Sequence, residues 1–172
     1  MNKALFLDRD GVVNEDYHYA YKPEHIAFRE GIFELCRHAI DKGYIIIIVT
    51  NQAGVAKGKF TEEDVQALHR WIKEEFRRRG IDIAAFYYCP HHPEGSVERY
   101  RRVCECRKPK PGMILEAKRK FDIDITRSLM IGDKPSDRIA LEGLRSVILK
   151  SEYTDGGGYD AETLAETEQY LR

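Results

Sequence analysis

The chain has 172 residues, with 28 Lys and Arg against 29 Asp and Glu for a formal charge of -1, 42% hydrophobic residues and four cysteines. That length suits one domain, residues 1–172, with a sizeable core, and leaves no room for two full domains and a linker. The balanced charge and the lack of a basic run argue against a general nucleic-acid binder, which needs many cations on one face, so any anionic ligand must be recognised locally.

Ala4-Leu5-Phe6-Leu7 ends at Asp8 and reads as a strand buried on both faces of a parallel sheet. Ile32, Leu35, Cys36, Ala39 and Ile40 fall at helical spacing, with Gly43 as a left-handed stop. Tyr44 to Thr50 follows as a strand, since its four consecutive isoleucines suit a pleated interior and crowd a helix. Thr61 with Asp64 opens a helix carrying Val65, Leu68, Trp71, Ile72 and Phe76, closed by Gly80. A strand from Ala84 to Cys89 comes next. Residues 90–110 have no period and read as a long loop, a length that goes with function or with a tether other than packing. Pro111 is placed as the first residue of a helix with Ile114, Leu115, Lys118 and Phe121. Ser128 to Ile131 reads as a strand, Pro135 to Glu142 as a short helix and Ser146 to Leu149 as the last strand. A Gly156-Gly157-Gly158 turn precedes a terminal amphipathic helix containing Leu164 and Leu171. The alternation predicts an α/β fold, a doubly wound, Rossmann-like parallel sheet whose ligand lies beyond the carboxyl ends of the strands.

Three strand ends carry chemistry: Asp8-Arg9-Asp10-Gly11, Thr50-Asn51-Gln52 and Gly132-Asp133-Lys134-Pro135-Ser136-Asp137. Carboxylates gathered in one crevice repel one another unless paired or metal-bound. Magnesium suits them, because it takes hard oxygen ligands and keeps positions for water and a substrate phosphate. Asp122-Ile123-Asp124 has the same Asp-x-Asp spacing, yet it follows a helix end and reads as a solvated turn. Asp8 and Asp10 instead follow a buried strand and precede Gly11, which lets the chain turn sharply.

Over about residues 3–150 these motifs resemble those of the haloacid dehalogenase-like phosphatases. Asp8 to Asn14, Thr50 to Gly58, the Cys-x-His and Cys-x-Cys pairs and Arg107 to Met113 are most similar to the D-glycero-D-manno-heptose 1,7-bisphosphate 7-phosphatase branch, sugar phosphatases of bacterial heptose synthesis. The resemblance implies a haloacid dehalogenase-like fold and magnesium-dependent hydrolysis of a 7-phosphate through an aspartyl-phosphate; the intervals after the first two strands are too short for a large cap domain. Asp8 is the expected nucleophile and Asp10 the general acid and base. Asp8 and Asp133 would bind magnesium through their carboxylates and Asp10 through its backbone carbonyl. Thr50 would donate to the phosphoryl oxygens, Lys108 would neutralise them, and Asp137 would support the site from behind. By the same resemblance Asp16, Tyr17, His18 and Tyr19 form a loop reaching the sugar, as do Asn51, Gln52 and Ala53, while Arg107 recognises the substrate and Lys134 contacts it.

Cys89-Pro90-His91 and Cys104-Glu105-Cys106, twelve residues apart, offer three sulfurs and an imidazole, a common structural zinc set. A zinc loop over about 89–106 would tie down a segment poor in apolar residues and set Arg107 and Lys108 beside it. His92 adjoins His91 and could replace it; the resemblance favours His91. Cys36 lies on an apolar stripe and reads as core. The first residues turn charged after Leu7, and no apolar run approaches the roughly 18 that span a membrane. The expectation is a cytoplasmic monomer without a signal peptide, acting on a small sugar bisphosphate and binding neither nucleic acid nor membrane. Histidinol-phosphate phosphatase, with similar acid motifs and zinc loop, stays open as an alternative, as does a catalytically inactive zinc-containing binding module.

Overall fold

A computed structural model describes residues 1–172. The apolar runs become five parallel strands, β1 (Lys3–Leu7), β2 (Tyr44–Asn51), β3 (Ile83–Cys89), β4 (Leu129–Gly132) and β5 (Arg145–Ile148), in the order β3-β2-β1-β4-β5. β1 lies at the centre, with Leu5 paired to Ile46 on one side and to Leu129 on the other. Alternate residues serve the two faces. Leu5, Leu7, Ile46 and Ile48 pack with α1 (Ile32–Asp41) and α2 (Glu62–Arg78), whereas Ala4, Phe6, Ile47 and Val49 pack with α3 (Gly112–Phe121). Truncating one such core Leu or Ile to Ala costs about 2–5 kcal/mol, so the sheet is a stiff frame from which the strand ends project. α2 opens with the expected capping box, Thr61 Oγ1 accepting the Asp64 N–H at 3.1 Å and Asp64 Oδ2 accepting the Thr61 N–H at 2.9 Å.

Several expectations need correction. Pro135 to Glu142 is only a 3-10 turn, Pro135–Asp137, because the Ala140 N–H leaves the helical path to donate to Pro109 O at 2.8 Å. The terminal helix is a single turn, α4 (Leu164–Thr167), followed by a 3-10 turn over Glu168–Tyr170. Leu164 and Leu171 are both buried as anticipated, but Lys42 Nζ takes the Leu171 carbonyl and Arg145 takes that of Tyr170, which draws the chain end out against the sheet. Pro111 is the cap of α3 and not its first residue, and Ile40 is 37% exposed. Asp122 ends α3 in a left-handed conformation while Asp124 Oδ1 accepts the Thr126 N–H at 3.0 Å, a local turn as expected. Residues 8–31 hold no helix beyond the 3-10 turn Pro23–His25, and 52–61 none, so no large cap is inserted at either place. No helix is long and apolar enough to cross a membrane.

Candidate active site

The ends of β1, β2 and β4 meet around one lysine. Lys108, only 4% exposed, places Nζ 2.8 Å from Asp8 Oδ1, 2.6 Å from Asp137 Oδ1 and 3.0 Å from Val49 O. Asn51, ending β2, fixes its backbone from both sides, accepting the Lys108 N–H at 3.0 Å and donating to the Lys108 carbonyl at 3.3 Å. Asp137 Oδ2 accepts the N–H groups of Asp133 and Lys134 at 3.0 and 3.2 Å, so the turn after β4 is wound around this carboxylate. Gly11 has φ +95°, and a Cβ there would lie 2.0 Å from Asp133 Oδ2, so only glycine leaves that carboxylate its place.

The carboxylates of Asp8, Asp133 and Asp137 lie within 4.8 Å of one another. Burial, and next the charge of Asp137, push Asp8 up to about 6, with Lys108 pulling the other way. Asp133 is pushed up to about 9, by burial first and then by Asp8 and Asp137. Burial works against the charge on Lys108, but Asp137 and Asp8 outweigh it and hold the ammonium well above the ordinary lysine value. Asp133 Oδ1 is buried with no hydrogen-bond partner. An unmatched buried acceptor costs about 1–3 kcal/mol, and a divalent cation between Asp8 and Asp133 would remove both that cost and the carboxylate repulsion. The all-oxygen donor set fits magnesium.

Asp10 stands apart from this cluster. Arg9 NH2 donates to both of its oxygens at 3.0 and 3.1 Å, and Asn14 Nδ2 and Gln52 Nε2 each donate at 3.0 Å. Burial opposes its ionisation, yet Arg9, Asn14 and Gln52 together hold it below the usual carboxylate range. Only its backbone carbonyl is left for the ligand role that the family resemblance implies. Buried Thr50 accepts from Gln52 Nε2 at 2.9 Å. With Asp8, Asp10, Lys108 and Lys134 it lines a recess of about 30 Å³, room for about two waters.

This recess shares Asp10, Asn51, Lys134 and Ser136 with a wider cavity of about 380 Å³. Asp16, His18, Tyr19, Gln52, Ala53 and Arg107 line the cavity. Tyr17 does not: it is 60% exposed and lines a separate outer depression, because the chain reverses at His18 and Tyr19 (φ 59° and 55°). Sequence reasoning missed Lys57, Phe60 and Tyr153 on the cavity wall, and the pair behind Asp10. There, fully buried Arg9 sets NH1 3.2 Å from His69 Nε2 and donates through NH2 to Ala20 O at 2.8 Å. Burial, then Arg9, pushes His69 down to about 3, which keeps it a neutral acceptor. A signal existed, since His69 interrupts the apolar stripe of α2 four residues after Val65.

The loop after β3 gathers the sulfurs. Cys89 Sγ lies 3.5 Å from Cys104 Sγ and 2.9 Å from Cys106 Sγ, and His91 Nδ1 lies 3.6 and 3.5 Å from Cys89 and Cys106. Tetrahedral zinc with bonds of about 2.0–2.3 Å needs ligand separations of roughly 3.5–3.8 Å, so the set fits with a small opening of the closest sulfur pair. His92 is directed elsewhere, its Nδ1 accepting the Glu94 N–H at 3.0 Å.

A family profile described as polynucleotide kinase 3 phosphatase matches residues 6–157. The D-glycero-beta-D-manno-heptose-1,7-bisphosphate 7-phosphatase of Yersinia pestis is 45% identical over 134 residues, 78% of this chain and 71% of that protein. The enzyme of the same description from Vibrio cholerae is 45% identical over 139 residues, 81% of this chain and 75% of that one. The crystal structure of D,D-heptose 1,7-bisphosphate phosphatase from B. bronchiseptica, complexed with magnesium and phosphate, superposes with a TM-score of 0.82 at 27% identity, covering 98% of this chain and 97% of that one.

Proposed function

Because the chain belongs to the family of bacterial D-glycero-beta-D-manno-heptose-1,7-bisphosphate 7-phosphatases, haloacid dehalogenase-like in fold, we propose that it hydrolyses the 7-phosphate of that sugar bisphosphate to leave heptose 1-phosphate. The observation that carries the chemistry is Asp8, buried at the end of β1 with one oxygen on Lys108 and a recess lined by Thr50 in front of it.

A phosphate monoester repels an approaching carboxylate, so its charge must be offset first. Lys108 brings a full positive charge and Thr50 a hydroxyl donor. Magnesium held by the Asp8 and Asp133 carboxylates and the Asp10 carbonyl would supply Lewis-acid neutralisation of the phosphoryl oxygens; the magnesium-bound B. bronchiseptica relative supports this choice. An Asp8 oxygen attacks phosphorus as the bond to the sugar oxygen breaks, forming an aspartyl-phosphate. Asp10 gives its proton to the departing sugar oxygen. It then takes a proton from the water that attacks the aspartyl-phosphate, releasing inorganic phosphate and restoring Asp8. The Arg9-held, ionised Asp10 is the form ready for this second step. The negative charge of an arriving phosphate raises its proton affinity and prepares it for the first. Cys89, His91, Cys104 and Cys106 are assigned to structural zinc, Arg107 and Lys134 to holding the substrate beyond the reacting phosphate.

The test is phosphate release from heptose 1,7-bisphosphate, fructose bisphosphate, histidinol phosphate and a 3′-phosphorylated oligonucleotide. The heptose bisphosphate is expected to give the highest kcat/KM. Preference for histidinol phosphate or for the oligonucleotide would replace the substrate assignment, and no turnover of any of them with magnesium present would revive the binding-module reading. A second expectation needs no substrate. At a hundredfold excess of magnesium over its Kd, binding stabilises the fold by about 2.7 kcal/mol, or roughly 5–10 °C for a chain of this length. Asp133→Asn should abolish that rise in a thermal melt; an undiminished shift would place the ion elsewhere.

A further inference from the structure

The segment after β5 carries no catalytic motif, yet it touches the site at two levels. Ser151 Oγ donates to the backbone carbonyl of Asp133, and Tyr153 donates its hydroxyl to Asp16 Oδ2 at 2.8 Å. One 3-10 turn, Glu152–Thr154, thereby joins the end of β4 to the Asp16–Tyr19 loop on the cavity wall. The turn is itself fixed, with Ser151 Oγ accepting the Tyr153 N–H at 3.1 Å and Thr154 Oγ1 accepting the Ser151 N–H at 2.9 Å. Lys134 Nζ lies 4.5 Å from the centre of the Tyr153 ring, which orients the ring against a second cavity residue.

The loop it holds needs a tether. His18 and Tyr19 are consecutive left-handed residues with side chains, a conformation that costs free energy at each position. Asp16 Oδ1 accepts the His18 N–H at 3.1 Å, so the two oxygens of one carboxylate link the strained reversal to Tyr153. The other link, His18 Nε2 to Glu152 Oε1 at 3.4 Å, is solvent-exposed on both sides and contributes little. Burial, and then the hydrogen bond to Asp16, hold the Tyr153 phenol above its ordinary value, so it stays a donor at neutral and mildly alkaline pH.

We propose that Tyr153 is a positioning residue whose hydroxyl holds the Asp16–Tyr19 loop in the shape that walls the sugar side of the cavity, setting affinity for the sugar portion and leaving phosphoryl transfer untouched. Its kinetic consequence rests on the sugar-bisphosphate reading; the tether itself does not.

Tyr153→Phe keeps the ring beneath Lys134 and removes only the hydroxyl bond. KM for heptose 1,7-bisphosphate should rise roughly tenfold, the scale of a lost hydrogen bond to a charged group, with kcat within about twofold. Hydrolysis of p-nitrophenyl phosphate, which has no sugar to meet the loop, should change far less than that of the heptose bisphosphate. Chymotryptic cleavage at Tyr17 and Tyr19 should quicken severalfold. Unchanged KM and unchanged cleavage would overturn the proposal. So would a parallel fall in kcat for both substrates, since that would mean the turn merely supports Asp133. Faster cleavage in a protein whose wild-type form ignores the heptose bisphosphate would uphold the tether and refute the substrate assignment.

Discussion

Asp8→Asn should lower phosphate release by roughly 10⁴-fold or more, the scale on which losing a nucleophile acts, while the protein stays folded. The amide can still accept from Lys108 Nζ but cannot form the acyl phosphate. Stability should move the other way. The folded-state value of Asp8 is raised from 3.8 to about 6, so the unfolded chain releases this proton more readily. In the absence of metal, stability is therefore lost as pH rises across that window and stays lost at pH 7. The amount is on the order of 2–3 kcal/mol. The asparagine, carrying no charge, escapes this loss, so the metal-free variant should melt at or above the wild-type temperature at pH 7. Activity within tenfold of wild type would remove Asp8 from its role, and a collapsed melt would show that the charge is needed for folding.

Cys104→Ser carries the other large effect. A serine hydroxyl is a poor zinc ligand, so metal analysis should fall from about one zinc per chain to near none. Structural zinc contributes roughly 10–16 kcal/mol in isolated zinc-finger peptides. Here the sheet has its own core, so a smaller share reaches global stability, and a fall of about 10 °C or more in Tm is expected. Turnover should fall as well. Arg107 and Lys108 directly follow Cys106, and the clamp of Asn51 on Lys108 depends on where that loop runs. Equal zinc content in variant and wild type would exclude the site.

The parts that could be read in advance are those where a local period and a topological rule coincide. The isoleucines of β2 and the run ending at Asp8 mark buried parallel strands, and parallel strands must deliver Asp8, Thr50 and Asp133 to the same end of the sheet. The cysteine spacing likewise announced a ligand set that the fold brings together. What stayed hidden depends on partners remote in sequence. Nothing near Ala140 signals that its N–H will choose Pro109 O, so a helix looked continuous there. Nothing near Tyr153 signals Asp16, which lies 137 residues earlier. Tyr17 sits in the right segment, but two left-handed residues after it turn it to the outside.

The bond between Lys108 and Asp8 spans 100 residues of chain, and that span has a meaning in time. At the roughly 5–20 residues per second of protein synthesis, the nucleophile leaves the ribosome about 5–20 s before its lysine, and longer still before Asp133. A half-made chain therefore carries the acidic signature of a phosphatase without its electrostatic partner or its place for a metal. Asp133 follows β4, which pairs beside β1, so the acidic cluster cannot be whole until the fourth of the five strands has been made.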